Sequence, residues 1–123
     1  MSNDQSKRIV IALRQAPYGN SLSREAIDIA LAAGVFEQNL ALVFIGDGVW
    51  QLLNDQDSEA AGSKNHQKML SALPLYDISE IYIDEAALRE RSIESHQLSL
   101  NGHLLSEAAI IGVFESADVI LNF

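Results

Sequence analysis

Two short stretches of the chain, residues 8–13 (Arg-Ile-Val-Ile-Ala-Leu) and 40–45 (Leu-Ala-Leu-Val-Phe-Ile), run apolar almost without a break. A strand with one wet face alternates apolar and polar residues. A continuous apolar run belongs instead to a strand covered on both faces, as in a parallel sheet between layers of helix. Between the two runs, Ile27, Ala30, Leu31 and Gly34 recur at i, i+3, i+4 and i+7, the stripe of an amphipathic helix, with Ser21 or Ser23 as its N-cap. Parallel strands need a crossover connection, and this helix supplies it.

The alternation continues along the chain. Residues 49–53 begin a short helix, 54–62 read as a polar, acidic and mobile loop, and 63–73 as a helix ended by Pro74. A third strand is expected over 80–84, then a helix over 85–91 supported by Glu85 and Arg89 at i, i+4. Residues 97–100 read as a short strand followed by an Asn101-Gly102 turn. Helical spacing returns over 106–115 through Ala109, Ile110, Val113 and Phe114, and 119–121 close the chain as an apolar strand. The fold expected is a three-layer α/β/α domain over residues 7–123, with a mostly parallel sheet of about five strands, after a flexible N-terminus of six residues.

Composition narrows the function classes. At 123 residues the chain suits one domain with one ordinary core. Eight basic against seventeen acidic side chains give a net charge of -9, which repels a phosphate backbone, disfavours nucleic acid and favours solubility or a basic protein partner. No run approaches the roughly 20 apolar residues that span a bilayer, and residues 1–6 are polar, unlike a signal peptide, so a cytoplasmic protein with no membrane partner is expected. The chain has no Cys, which removes disulfides, thiolate metal sites, thiol nucleophiles and persulfides together.

In an open parallel sheet, function gathers where strand ends lead into helices. The loops in question are 14–21, 46–50 and 84–86. In the first, Gly19-Asn20-Ser21 before a helix resembles part of a flavodoxin phosphate loop, but a Pro-Gly loop followed by an N-cap explains it as well; Tyr18 and Asn20 can equally line a protein contact. In the second, Gly46 and Gly48 lack the third Gly of a dinucleotide fingerprint and read as turn residues of permissive φ, with Asp47 as a helix cap. Trp50, on a short helix beside a polar loop, is either core or an interface anchor.

Asp55, Asp57 and Glu59 lack the Gly and distal Glu of a calcium loop and read as a solvated loop. His66, His96 and His103 have no spacing for a metal, and no Gly-x-Ser-x-Gly elbow places a nucleophile. No metal or cofactor is expected.

Four segments in order, Phe-Ile-Gly-Asp-Gly-Val-Trp-Gln-Leu-Leu (44–53), Leu-Tyr-Asp-Ile (75–78), Ala-Ala-Leu-Arg-Glu-Arg (86–91) and Ala-Asp-Val-Ile-Leu-Asn-Phe (117–123), resemble the TusC/DsrF branch of the DsrE/DsrF/DsrH family. The likeness runs from Lys7 to Phe123. It implies a subunit of a sulfur relay in which TusB/DsrH-like and TusD/DsrE-like chains are the partners, passing persulfide sulfur towards 2-thiolation of the tRNA wobble uridine or, in sulfur oxidisers, serving sulfur oxidation. The family's acceptor Cys lies on the TusD/DsrE subunit after the third strand. The matching place here is Ile83-Asp84-Glu85, none of which can hold sulfur.

The resemblance therefore implies a non-catalytic subunit, able to form a homo-oligomer when isolated, or else a homo-oligomeric family member with an altered role. Its partner surface is expected at Asp47, Val49, Trp50, Leu53, Tyr76, Asp77, Asp84 and Arg89. Tyr76 and Leu88 fit the chain's own core equally well. Arg89 and Arg91 are expected to pair with local carboxylates. A flavodoxin-like module holding a phosphorylated ligand at residues 19–21 is the rival reading.

Overall fold

Strand β1 (Arg8–Leu13) pairs in parallel with β2 (Asn39–Phe44) over its full length, Arg8 opposite Asn39 and Leu13 opposite Phe44. These are the two apolar runs, and Val10 to Leu13 and Ala41 to Phe44 are wholly buried, as strands packed on both faces must be. The computed structural model describes residues 7–16, 22–35, 39–53 and 68–123.

Five strands form one parallel sheet in the order β4-β3-β2-β1-β5, with β3 at Ile81–Asp84, β4 at His103–Leu105 and β5 at Val119–Asn122. From β1 to β4 the chain steps outward in one direction. Its helices on this path are α1 (Leu22–Val35), α2 (described over 68–72) and α3 (Glu85–Glu90), and their buried residues all join one core. The chain then returns across the sheet to place β5 beside β1. A right-handed crossover running back in the opposite direction must lie on the opposite face, and α4 (Glu107–Glu115) does.

The two faces are unequal. On the first, Ile11, Leu13, Leu42, Phe44, Ile81 and Ile83 meet Ile27 and Ala30 of α1, Leu70 of α2 and Leu88 of α3. On the second, Val10, Ala12, Ala41, Val43 and Ile45 are covered by Ile110, with Val113 and Phe114 half-buried beside it. Among the described residues, this one nine-residue helix is thinner cover than the first face receives.

Four sequence expectations change. The segment after β2 is a 3-10 helix over Gly46–Leu52, earlier and tighter than a helix over 49–53. Pro74 does not end the preceding helix at residue 73; it sits near the start of a 3-10 turn over Leu73–Tyr76, where its missing N–H costs nothing. Residues 97–100 are not a strand. Ser95–Gln97 form a 3-10 turn closed by a capping box between Glu94 and Gln97, and Leu98 makes only an isolated antiparallel bridge to Leu53. The fourth strand is His103–Leu105, and Asn101-Gly102 lead into it. A Cβ on Gly102 would stand 2.9 Å from Ile83 Cδ1 and 3.0 Å from the Ile81 carbonyl, so Gly there lets β4 reach β3. Finally, α1 begins at Leu22, which puts Ser23 inside the helix rather than at its cap.

The N-terminal segment 1–6, the loop positions Tyr18 to Ser21, and residues 54–67 with Asp55, Asp57, Glu59 and His66 lie outside the described residues.

Candidate functional site

All three strand-end segments named from sequence contribute to one cleft of about 340 Å³. Arg14 reaches it from the end of β1, Ile45 and Gly46 from the end of β2, and Asp84 from the end of β3. The far wall is α4, through Glu107, Ile110, Ile111 and Phe114. Ile111 is 52% exposed, whereas Ile110 beside it is buried against the sheet. Strand-end reasoning found the near side of this cleft. It missed the α4 wall, because Ile110 and Phe114 carry a core-like spacing that gives no sign of a second, open side.

The charged groups are held in place individually. Asp84 caps α3, its Oδ1 accepting from the Ala86 N–H at 3.1 Å. Glu107 stands in the first turn of α4, where the helix dipole favours an anion, and Ser106 caps that helix by accepting from the Ala109 N–H at 3.2 Å. The Arg14 guanidinium donates to Asn122 Oδ1 at 3.0 Å and lies over the Phe114 ring, 6.0 Å from its centroid. Among the described residues, no acid lies within ion-pair distance of Arg14.

The Gly46-Asp47-Gly48 turn is scaffold for this cleft. Gly46 has φ +53°, a left-handed conformation that suits Gly. Gly48 is needed for a different reason: a Cβ there would collide with the Leu13 carbonyl oxygen, so its value is close approach and not permissive φ. Asp47 does not cap the 3-10 helix, whose N-cap is Ile45 without a side-chain bond; its Oδ1 accepts from Arg91 Nη2 at 3.0 Å and Nε at 3.2 Å. Gln51, wholly buried, donates from Nε2 to the Gln15 carbonyl at 2.8 Å and so fastens the exit of β1. Sequence gave no signal for that role, since Gln is ordinarily a surface residue.

The other expected partner-surface residues differ in exposure. Val49 is wholly inside the core, and Trp50 and Leu53 are half-buried against it. Tyr76 is 40% exposed, and Asp77 is exposed at φ 61° as the C-cap of its turn. Leu88 resolves to core. Arg89 is exposed and pairs with Glu85 at 3.6 Å, as the i, i+4 spacing predicts. Among the described residues, no cluster of His, Asp and Glu could hold a metal ion, and no helix is long and apolar enough to cross a membrane.

The DsrE/DsrF-like family model matches residues 7–123. A Protein TusC homolog of Pseudomonas aeruginosa is 32% identical over 117 residues, covering 95% of this chain and 98% of that protein. A Protein TusC homolog of Vibrio vulnificus is 32% identical over 116 residues, covering 94% and 98%. Protein TusC of Buchnera aphidicola subsp. Baizongia pistaciae is 30% identical over 118 residues, covering 95% and 99%. The crystal structure of the ychN protein from E. coli superposes with a TM-score of 0.81 at 24% identity over 95% of this chain and 99% of that one, a likeness of fold.

Proposed function

Because the chain belongs to the DsrE/DsrF-like family, in its TusC/DsrF branch, we propose that it is a non-catalytic subunit of a sulfur-relay complex. Its role there is to assemble with TusB/DsrH-like and TusD/DsrE-like subunits in the cytoplasm and support persulfide transfer towards 2-thiolation of the tRNA wobble uridine.

One observation carries the reading. The turn after β3, where the family's sulfur-accepting subunit keeps its Cys, holds Asp84 here, at the mouth of the strand-end cleft and already used as a helix cap. A carboxylate cannot form a persulfide, and the chain contains no Cys that could substitute. What remains is a shaped surface at the place where the sulfur-accepting subunit of such a relay keeps its Cys. Tyr76, Asp77, Asp84 and Arg89 stand at or near the surface, and Asp47 is tied to Arg91, so these side chains can meet sister subunits, with Val49 supporting them from inside.

The test is reconstitution. Co-expressed with TusB-like and TusD-like chains of its own organism, the protein is expected to elute in one larger species by size exclusion. Radiolabelled persulfide sulfur supplied by a cysteine desulfurase system is expected on the TusD-like chain and never on this one. A chain that elutes alone at micromolar concentration, whatever its partners do, overturns the proposal.

A further inference from the structure

We propose that the strand-end cleft is a socket for a Lys or Arg side chain presented by a partner subunit. This rests on the reading above that the chain assembles with sister subunits, and names the chemistry by which one of them docks.

Size sets the first limit. Small-molecule and cofactor sites run from roughly 300 to 1,000 Å³, and this cleft, at about 340 Å³, stands at the bottom of that range. It suits one or two side chains better than a nucleotide or flavin. Its walls set the second. Ile45, Ile110 and Phe114 offer an apolar lining, and Ile111 leaves about half of its surface in water at the rim. Long cationic side chains lay their aliphatic stems along such surface while keeping the charged head at a polar edge.

Charge sets the third limit. Asp84 and Glu107 approach the cleft from separate elements, α3's cap and α4's first turn. Asp84 spends one oxygen on the Ala86 N–H, and among the described residues its other oxygen and the Glu107 carboxylate have no partner. Among the described lining residues the one cation, Arg14, donates from Nε to Asn122 and lies over the Phe114 ring. Two carboxylates against one guanidinium leave the described lining net negative, which favours a cation over an anion. The net charge of -9 acts in the same sense at longer range, steering a basic surface towards this one.

The test uses the full chain with its TusB-like and TusD-like partners and reads the dissociation constant. Glu107→Lys, on an exposed helix position, is expected to weaken association at least about tenfold, and Glu107→Gln by a smaller factor. Glu115→Lys, the same charge change at the other end of α4, is expected to leave it within about twofold of wild type. Wild-type binding with an unaffected Glu107→Lys variant overturns the socket while leaving assembly intact. Equal weakening by Glu115→Lys also overturns it, since that is general charge and not a cleft. No complex with the wild-type chain overturns the parent reading, and the socket with it.

Discussion

Arg8 holds Glu80 through two parallel hydrogen bonds, Nη1 to Oε2 and Nη2 to Oε1, each 2.9 Å long. The same guanidinium also donates to Ser116 Oγ at 2.9 Å and Asn39 Oδ1 at 3.0 Å, and the Arg8 N–H donates to Asp118 at 2.7 Å. One side chain at the amino end of β1 thus ties together β2, the entry to β3 and the turn between α4 and β5. This clasp lies at the end of the sheet opposite the cleft, where the chain uses charge for structure.

Arg8→Ala is therefore expected to destabilise the fold by about 1–2 kcal/mol, less than a fully buried bidentate pair would cost because Glu80 is 38% exposed. The midpoint of urea unfolding measures it. An unchanged midpoint would mean the clasp contributes nothing net.

The pH dependence of that clasp has a definite sign. The hydrogen bond from Arg8, with help from the Tyr82 hydroxyl at 3.0 Å, holds the Glu80 carboxyl below its ordinary value of 4.5. Its contribution is fully present above the unfolded value and is lost as pH falls through the lowered folded one. The stability gap between wild type and Glu80→Gln is expected to be constant from pH 6 to about pH 5 and to narrow below it, read by urea unfolding at a series of pH values. A gap that widens on acidification contradicts the assignment.

Gly46 and Gly48 stand two residues apart but respond to different forces. Gly46→Ala adds a Cβ into open space at a left-handed φ and is expected to cost about 1–2 kcal/mol. Gly48→Ala drives a Cβ into the Leu13 carbonyl, which is locked in the sheet by the Ile45 N–H at 3.1 Å, and is expected to cost roughly 3 kcal/mol or more. Equal midpoints for the two variants would contradict the close-approach account.

Gln51→Leu removes the donor to the Gln15 carbonyl while keeping most of the buried volume. It is expected to cost about 1–3 kcal/mol and to speed amide exchange around residues 14–16 more than elsewhere in β1. Uniform acceleration across the sheet would mark Gln51 as general core instead of a fastening for the cleft's Arg14 side.

The parts of this architecture that were legible in sequence are those with a strong local cause. The runs at 9–13 and 40–45 point to doubly covered strands because every residue in them is apolar. The spacing of Ala109, Ile110, Val113 and Phe114 places α4 to within one residue of its start because a helical stripe is a local pattern. Gln97 to Leu100 has a more strand-like pattern than His103-Leu104-Leu105; what selects the latter as β4 is Gly102 fitting against Ile83, a contact between distant residues. The cleft was half legible for the same reason. Its strand-end side follows from topology, and its α4 wall depends on how one helix sits over a whole sheet.

Leu75 is 83% exposed and its neighbour Tyr76 40%, side by side in the 3-10 turn Leu73–Tyr76. A single apolar side chain in water is unremarkable, but an exposed Leu-Tyr pair on one turn has the chemistry of an interface anchor. Trp50 differs, since it packs against the main core. Leu75→Ser is expected to leave the unfolding midpoint within about 0.5 kcal/mol of wild type and to weaken assembly with sister subunits at least about tenfold. Trp50→Ala is expected to lower stability itself by about 2–4 kcal/mol, so that any loss of assembly follows from loss of fold. Size exclusion of the reconstituted complex, beside urea unfolding of each isolated variant, separates the two. Full assembly by Leu75→Ser would remove the 73–76 turn from the partner surface. Full stability with lost assembly in Trp50→Ala would move Trp50 into it.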